Sequence, residues 1–344
     1  GVGRAALRLT TTGASNTGIG FEALKANTTG AQNVSVGANA LTFNTTGDNN
    51  VALGIYALEA NTTADDNTAV GTTALSANTT GAKNTAVGRS SLYANTTAAD
   101  NTAVGYAALT ANTTGTGNTS VGKGSLITNT TGSTNTGIGY QALYSSNAND
   151  NTAIGYNSFF SLTGGGNTAL GREAGYYTTA TTTGTANTFI GAYSHGTAAG
   201  GSNSNILGYN VAGAAGYTTI GVGTSEIRAA NGNVTWATVS DERYKKDIKD
   251  STAGLNFVNA LKPRTFKYKN KSELPTAFRA YEKDSNTPFK NAETNHGFIA
   301  QEVKSAIDAH SDIKDGFRMW DSREDGSQEV AEAALIPVLV KAIQ

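Results

Sequence analysis

A period of 17 residues constrains this chain more than any other feature. An asparagine recurs at 16, 33, 50, 67, 84, 101, 118 and 135, and a glycine follows at 20, 37, 54, 71, 88, 105, 122 and 139. Each unit reads Asn-Thr-Ala-Val-Gly, a few residues, Ala-Leu, then Asn-Thr-Thr-Gly, with small variations. Units starting at Asn151, Asn167 and Asn187 keep the pattern with drifting spacing, and a last one has Ser204 in the asparagine place and ends at Gly208. A unit this short cannot bury a core alone, whereas stacked units can. The Gly, Thr and Asn content by itself suggests disorder; the period argues for order.

The aliphatic residue before each glycine (Ile19, Val36, Leu53 and their successors) and the leucine four residues after it (Leu24 through Leu143) are expected to be buried, with the neighbouring Thr exposed. Asn-Thr-Ala-Val alternates as a short strand does, and the glycine ends it in a turn or left-handed conformation. Gly-x-x-Ala-Leu-x-Ala fits either a second strand or one helical turn. Asparagines in strict register suggest coils about 4.8 Å apart joined by Asn ladders. The pattern is similar to the head repeats of trimeric autotransporter adhesins, which stack into a left-handed β-roll and pack as three rolls. Those repeats are shorter, and an intertwined triple β-helix is the alternative. Asn27, Asn44, Asn61, Asn78, Asn95, Asn112 and Asn129 each open an Asn-Thr-Thr tripeptide, formally a glycosylation acceptor; in so regular a repeat, turn and ladder roles are expected. Asp65, Asp66 and Asp150 read as solvated turns rather than calcium ligands.

Composition narrows the function classes. A length of 344 residues suggests two domains. A net charge of −1 gives no global reason to expect nucleic acid or a membrane surface. Cysteine is absent, so disulfides contribute nothing. No apolar run of about 18 residues suggests membrane insertion, and residues 1–15 do not read as a signal peptide. The chain starts inside the repeat and is expected to be a fragment. His195, His296 and His310 lack metal-ligand spacing, and no metal or cofactor is expected. Glycan cleavage needs two carboxylates about one bond; acids are sparse in the repeats.

At Trp236–Ile248 the character changes to charged and helix-like. The junction reads Ser240, Asp241, Arg243, Lys245. Beyond it, Ala253 to Leu261 reads as a helix stopped by Pro263, and Arg264 to Lys269 as a strand. Residues 270–295 read as a loop or hairpin. A helix opens at Gly297-Phe-Ile-Ala-Gln-Glu-Val303, with Phe298, Ile299, Val303 and Ile307 on one face. A last helix, Val330 to Ile343, carries Leu335, Ile336, Leu339, Val340 and Ile343 at coiled-coil-like spacing.

The Ser-Asp-x-Arg-x-Lys junction, Leu261-Lys-Pro-Arg-Thr-Phe-Lys-Tyr268, the 297–303 block and Ala334-Leu-Ile-Pro-Val-Leu-Val-Lys-Ala-Ile-Gln344 come in this order. Together they resemble the endosialidase-type intramolecular chaperones of phage tailspikes and tail fibres, which cut themselves off just before the serine. The resemblance implies a repeat shaft over 1–225, neck strands over 226–239 and a chaperone over 240–344. The expected fold class is a mainly β shaft of stacked 17-residue coils, a β-solenoid or triple β-helix, followed by a smaller α+β domain with C-terminal trimeric helices. It implies single-turnover self-cleavage at Val239–Ser240, with no external substrate. Ser240 would be the nucleophile and Lys245 its base, supported by Asp241 and Arg243.

The function so implied is a homotrimeric phage tail fibre that mediates host adsorption. It would be made in the host cytoplasm and carried in the virion, joined to other tail proteins on its N-terminal side. Its receptor would be a surface glycan or protein, with no nucleic acid bound and no membrane entered. Tyr193, His195, Tyr209 and Tyr217 are the receptor-binding candidates, because aromatic side chains suit sugar rings. A bacterial trimeric adhesin with the same chaperone is the alternative, and a glycan-degrading tailspike a third.

Overall fold

The computed structural model describes residues 1–176, 183–198, 200–231, 237–238, 242, 246–278, 280–310, 313, 319–322 and 326–344. The chain forms two compact units, Gly1–Ser240 and Asp241–Gln344. The first is a β-solenoid of about 12 turns built from 17-residue coils. Each coil contributes one three-residue strand: β1 Thr17–Ile19, β2 Val34–Val36, β3 Val51–Leu53, β4 Thr68–Val70, β5 Thr85–Val87, β6 Thr102–Val104, β7 Thr119–Val121, β8 Thr136–Ile138, β9 Thr152–Ile154, β10 Thr168–Leu170 and β11 Thr188–Ile190. Successive strands pair in parallel and in register, Thr68 on Thr85 and Val70 on Val87, for example. The ladder continues in parallel through β13 (Asn205–Tyr209) to β15 (Tyr217–Val222), past the short pair β12 (His195–Gly196) and β14 (Ala212–Gly213). It then reverses: β15 and β16 (Ser225–Ala230) form an antiparallel hairpin, and β17 (Ala237–Thr238) adds to β16.

Glycine locks the period. Gly37 has φ +141°, and a Cβ there would lie 2.4 Å from the carbonyl oxygen of Gly54 in the next coil. The repeat glycines thus stack backbone on backbone, and a side chain would force the coils apart.

Two asparagine columns close the coil. In the first, the amide oxygen of each asparagine accepts the backbone N–H of its successor, as from Asn50 to Asn33 (2.9 Å) and from Asn101 to Asn84 (3.0 Å). In the second, the Asn-Thr-Thr asparagines form a side-chain ladder: Asn95 Nδ2 donates to Asn78 Oδ1 and to Ala98 O, both at 2.9 Å. Asn27 through Asn129 of this column are fully buried. A buried polar group is stable only when bonded, and here the next coil supplies the donor for each amide oxygen from Asn27 to Asn112. Burial also removes these amides from glycosylation in the folded chain.

The Gly-x-x-Ala-Leu-x-Ala piece is neither of the two forms expected. Its second and fourth residues after the glycine are left-handed, as at Glu22 (φ 54°) and Leu24 (φ 50°), so right- and left-handed residues alternate. A left-handed leucine costs roughly 1–2 kcal/mol. It persists because each leucine from Leu24 to Leu143 is fully buried, a gain of about 1.5–3 kcal/mol, while its N–H bonds the next coil, as Leu24 to Ala40 O at 3.0 Å.

The strand face is the reverse of that expected. The central residue points inward: Ala52, Ala69, Ala86 and Ala103 are fully buried. The aliphatic residue before the glycine points out, with Leu53 47% and Leu170 46% exposed. The flanking Thr is likewise exposed or half-buried. The leucines already fill the interior. A Cβ on Gly18, a central position, would sit 3.0 Å from Leu7 Cγ, and one on Gly137 2.6 Å from Ser125 Oγ. The exception follows the same volume rule. Gly175 takes the leucine place in its coil, and a Cβ there would lie 2.3 Å from the Phe159 ring. In the space that glycine leaves, Phe189 enters at the central position and packs on Phe159, ring centroids 5.6 Å apart.

Candidate functional site

The second unit brings the sequence blocks of the C-terminal region together. Helix α1 spans Leu255–Ala260, strand β18 Arg264–Phe266, strand β19 Asn295–Gly297, helix α2 Ala300–Asp308, strands β20 Trp320–Ser322 and β21 Gln328–Val330, and helix α3 Ile336–Ile343. Strands β18 and β19 pair antiparallel, Arg264 opposite Gly297 and Phe266 opposite Asn295, so the 261–268 and 297–303 blocks share one ladder. The Arg264 guanidinium clamps α2 from the same ladder, donating from Nε and Nη2 to the two carboxylate oxygens of Glu302 at 3.0 and 2.6 Å. That hydrogen bond holds the Glu302 carboxyl below the usual carboxylate range, against partial desolvation, and raises Arg264 in turn. Phe257, Leu261, Val303, Ile307, Met319 and Val338 form the core. Helix α2 therefore buries Val303 and Ile307 as its spacing predicts, with Phe298 packed at the margin.

The last helix is shorter than the sequence reading over Val330 to Ile343. Residue 330 ends β21, Glu332–Leu335 is a 3-10 turn, and the α-helix begins at Ile336 with Pro337 in its first turn. Proline has no N–H to donate back and therefore suits a helix start, not an interior. One side of α3 enters the core through Val338. Of the residues marked as coiled-coil-like, Leu335 packs against the core, and the other four remain outside: Ile336 is 62%, Val340 51% and Ile343 86% exposed, and Leu339 is also exposed.

Ser240, Asp241, Arg243 and Lys245, with Val239 and Trp236, lie outside the described residues. The division between the two units falls at Ser240/Asp241.

The receptor-binding candidates only partly converge. Tyr193 and Tyr209 meet edge to face at 5.9 Å, and His195 Nδ1 lies 2.9 Å from the Tyr193 carbonyl oxygen. Tyr217 instead lies under the Arg228 guanidinium, 5.5 Å from the ring centroid. Tyr193 also extends a longer array that reasoning by units missed, through Arg172 at 5.5 Å. Over six successive coils the residue after the repeat glycine forms a column of cations and tyrosines: Arg89, Tyr106, Lys123, Tyr140, Tyr156 and Arg172. Comparing the same position across units, rather than reading each unit alone, is the signal that would have found it. Among the described residues no helix is long and apolar enough to cross a membrane.

Comparison with curated proteins and with solved structures gave no match. A family model described as chaperone of endosialidase matches residues 240–312. The match begins at the junction serine and takes in the 261–268 and 297–303 blocks; α3 lies beyond it. By that match the C-terminal unit carries an endosialidase-type chaperone domain, borne on a β-solenoid.

Proposed function

We propose that the protein is a homotrimeric tail-fibre shaft for host adsorption, whose C-terminal chaperone drives trimerisation and then cuts itself off at Val239–Ser240. The observation that carries this reading is the family match opening at Ser240, the residue after which the chain divides. Two unpartnered apolar faces support assembly. One is the outward aliphatic ladder of the solenoid, including Leu53, Leu170 and Leu207, and the other is the exposed stripe of α3. Contiguous apolar surface of this kind marks an interaction face, and a second and third copy of the same chain present the same ladder in the same register.

The chemistry needs only residues of the junction. Unprotonated Lys245 takes the proton of the Ser240 hydroxyl, and Oγ adds to the Val239 carbonyl carbon. Collapse breaks the Val239–Ser240 amide. The departing nitrogen receives the proton from Lys245 and becomes the new N-terminus of the chaperone. The resulting ester is hydrolysed by water, leaving a carboxyl on Val239 and restoring the Ser240 hydroxyl.

Expression of the intact chain is expected to give two bands on a denaturing gel, the smaller starting at Ser240. Ser240→Ala and Lys245→Ala should each give a single full-length band while keeping the wild-type assembly state. Cutting of Ser240→Ala at the wild-type rate would remove the serine mechanism and leave the chaperone role alone.

A further inference from the structure

The side of the solenoid carries a second array, built from the residues that follow the repeat glycines. Arg89 and Lys123 flank Tyr106 at 5.9 and 5.8 Å from the ring centroid, and Lys123 also lies 5.8 Å from Tyr140. Tyr140 stacks on Tyr156 at 5.2 Å with planes 9° apart, and Arg172 caps Tyr156 at 5.5 Å. The result is an unbroken row, one side chain per coil, each held between its neighbours. The row is open: Tyr106 is 50%, Tyr140 39% and Tyr156 46% exposed.

Charge in the row is one-sided. Among the described residues Arg89 and Lys123 form no ion pair; Arg172 has Glu173 at 3.4 Å. The three tyrosine hydroxyls make no hydrogen bond with described residues. The positions beside the row are Ser90, Ala107, Gly124, Gln141, Asn157 and Glu173, so amide and hydroxyl groups flank it along most of its length and a carboxylate stands only at the Arg172 end. The row is thus a rigid ladder of hydrogen-bond donors with cations two or three coils apart, roughly 10–14 Å at sheet spacing.

The geometry points to a linear acidic polysaccharide as the ligand of this row, lying along the solenoid with its carboxylates on Arg89 and Lys123 and its hydroxyls on the tyrosines and Gln141. The two-coil step from Arg89 to Lys123 fits a polymer in which acidic and neutral sugars alternate, since one coil is close to the length of one pyranose ring. Stacked nucleobases fit poorly, because the ring faces are already covered by neighbouring cations and tyrosines. Stacking also fixes the side chains before binding, which lowers the ordering cost. This inference deepens the adsorption reading by naming a receptor class and a place on the shaft. It is read on soluble protein and does not depend on the Ser240 cut, so either can fail alone.

The test uses the full chain and hyaluronan oligosaccharides, which carry one carboxylate per disaccharide, followed by calorimetry. Binding is expected, weakened by added salt. Tyr140→Ala and Lys123→Ala should each reduce affinity by about three- to tenfold without loss of assembly. Polyglutamate, which has the charge but not the hydroxyls, and neutral chitin oligosaccharides should bind far more weakly. Equal binding of polyglutamate, or no binding of hyaluronan, would overturn the proposal. So would folded variants that bind as wild type. The chain has no cysteine, so Gln141→Cys gives a single thiol; if the native assembly shields it from a maleimide, the row is a contact between copies and the proposal falls.

Discussion

Asn95 shows what a single residue contributes to the solenoid. Its amide donates twice, to Asn78 Oδ1 and Ala98 O, and accepts from Asn112 Nδ2. Asn95→Ala leaves buried Asn78 Oδ1 without its donor, while Ala98 O keeps Asn84 Nδ2 and Asn112 Nδ2 keeps Gly115 O, and should destabilise the solenoid by about 1–3 kcal/mol, read as a lower thermal midpoint. Asn95→Asp should cost more at neutral pH, because a buried carboxylate then faces a carbonyl oxygen. Burial would raise that carboxyl above its unfolded value, so the penalty should shrink as pH falls and grow as pH rises through the folded value. The ladder role of these asparagines was legible from their spacing alone. The facing of Thr-Ala-Val was not, because alternation shows two faces without saying which is inward, and bulk pointed to the valine. What decides is the leucine of the neighbouring segment, which leaves room only for Ala, Ser or Gly. Ala103→Val should therefore destabilise by about 1–3 kcal/mol through overpacking, whereas Val104→Ala, on the outer face, should barely move the midpoint of a single solenoid.

Among the elements, the Arg264–Glu302 clamp joins β18 to α2. Glu302 titrates below its ordinary value in the folded unit, so the stabilisation is present at neutral pH and lost as pH falls through that lowered value. Acid unfolding of the C-terminal unit, followed by Trp320 fluorescence in a Trp236→Phe background, should steepen below about pH 4. The steepening should be reduced in Glu302→Gln. A response identical to wild type would mean that the pair adds nothing to the unit. Helices α1 and α2 were legible from apolar spacing. The start of α3 was marked by Pro337, and a periodicity that continues across a proline hides such a break. The left-handed leucines were not legible at all, since no propensity favours leucine there. Only the bonds to the next coil and the burial of the side chain make that conformation hold.

At the scale of the molecule, the proposed trimer would bury two exposed apolar faces, the solenoid ladder and the α3 stripe, between copies. Leu170→Glu places a charge on the first and should weaken the assembled shaft while leaving the isolated solenoid folded. The most direct measurement of the central claim is the mass of the purified product under native and denaturing conditions. The account predicts native particles containing three shaft chains, each ending at Val239 once denatured, with a separate fragment starting at Ser240; for Ser240→Ala it predicts three intact chains. A monomeric native mass, or a wild-type chain that stays whole when assembled, would contradict it.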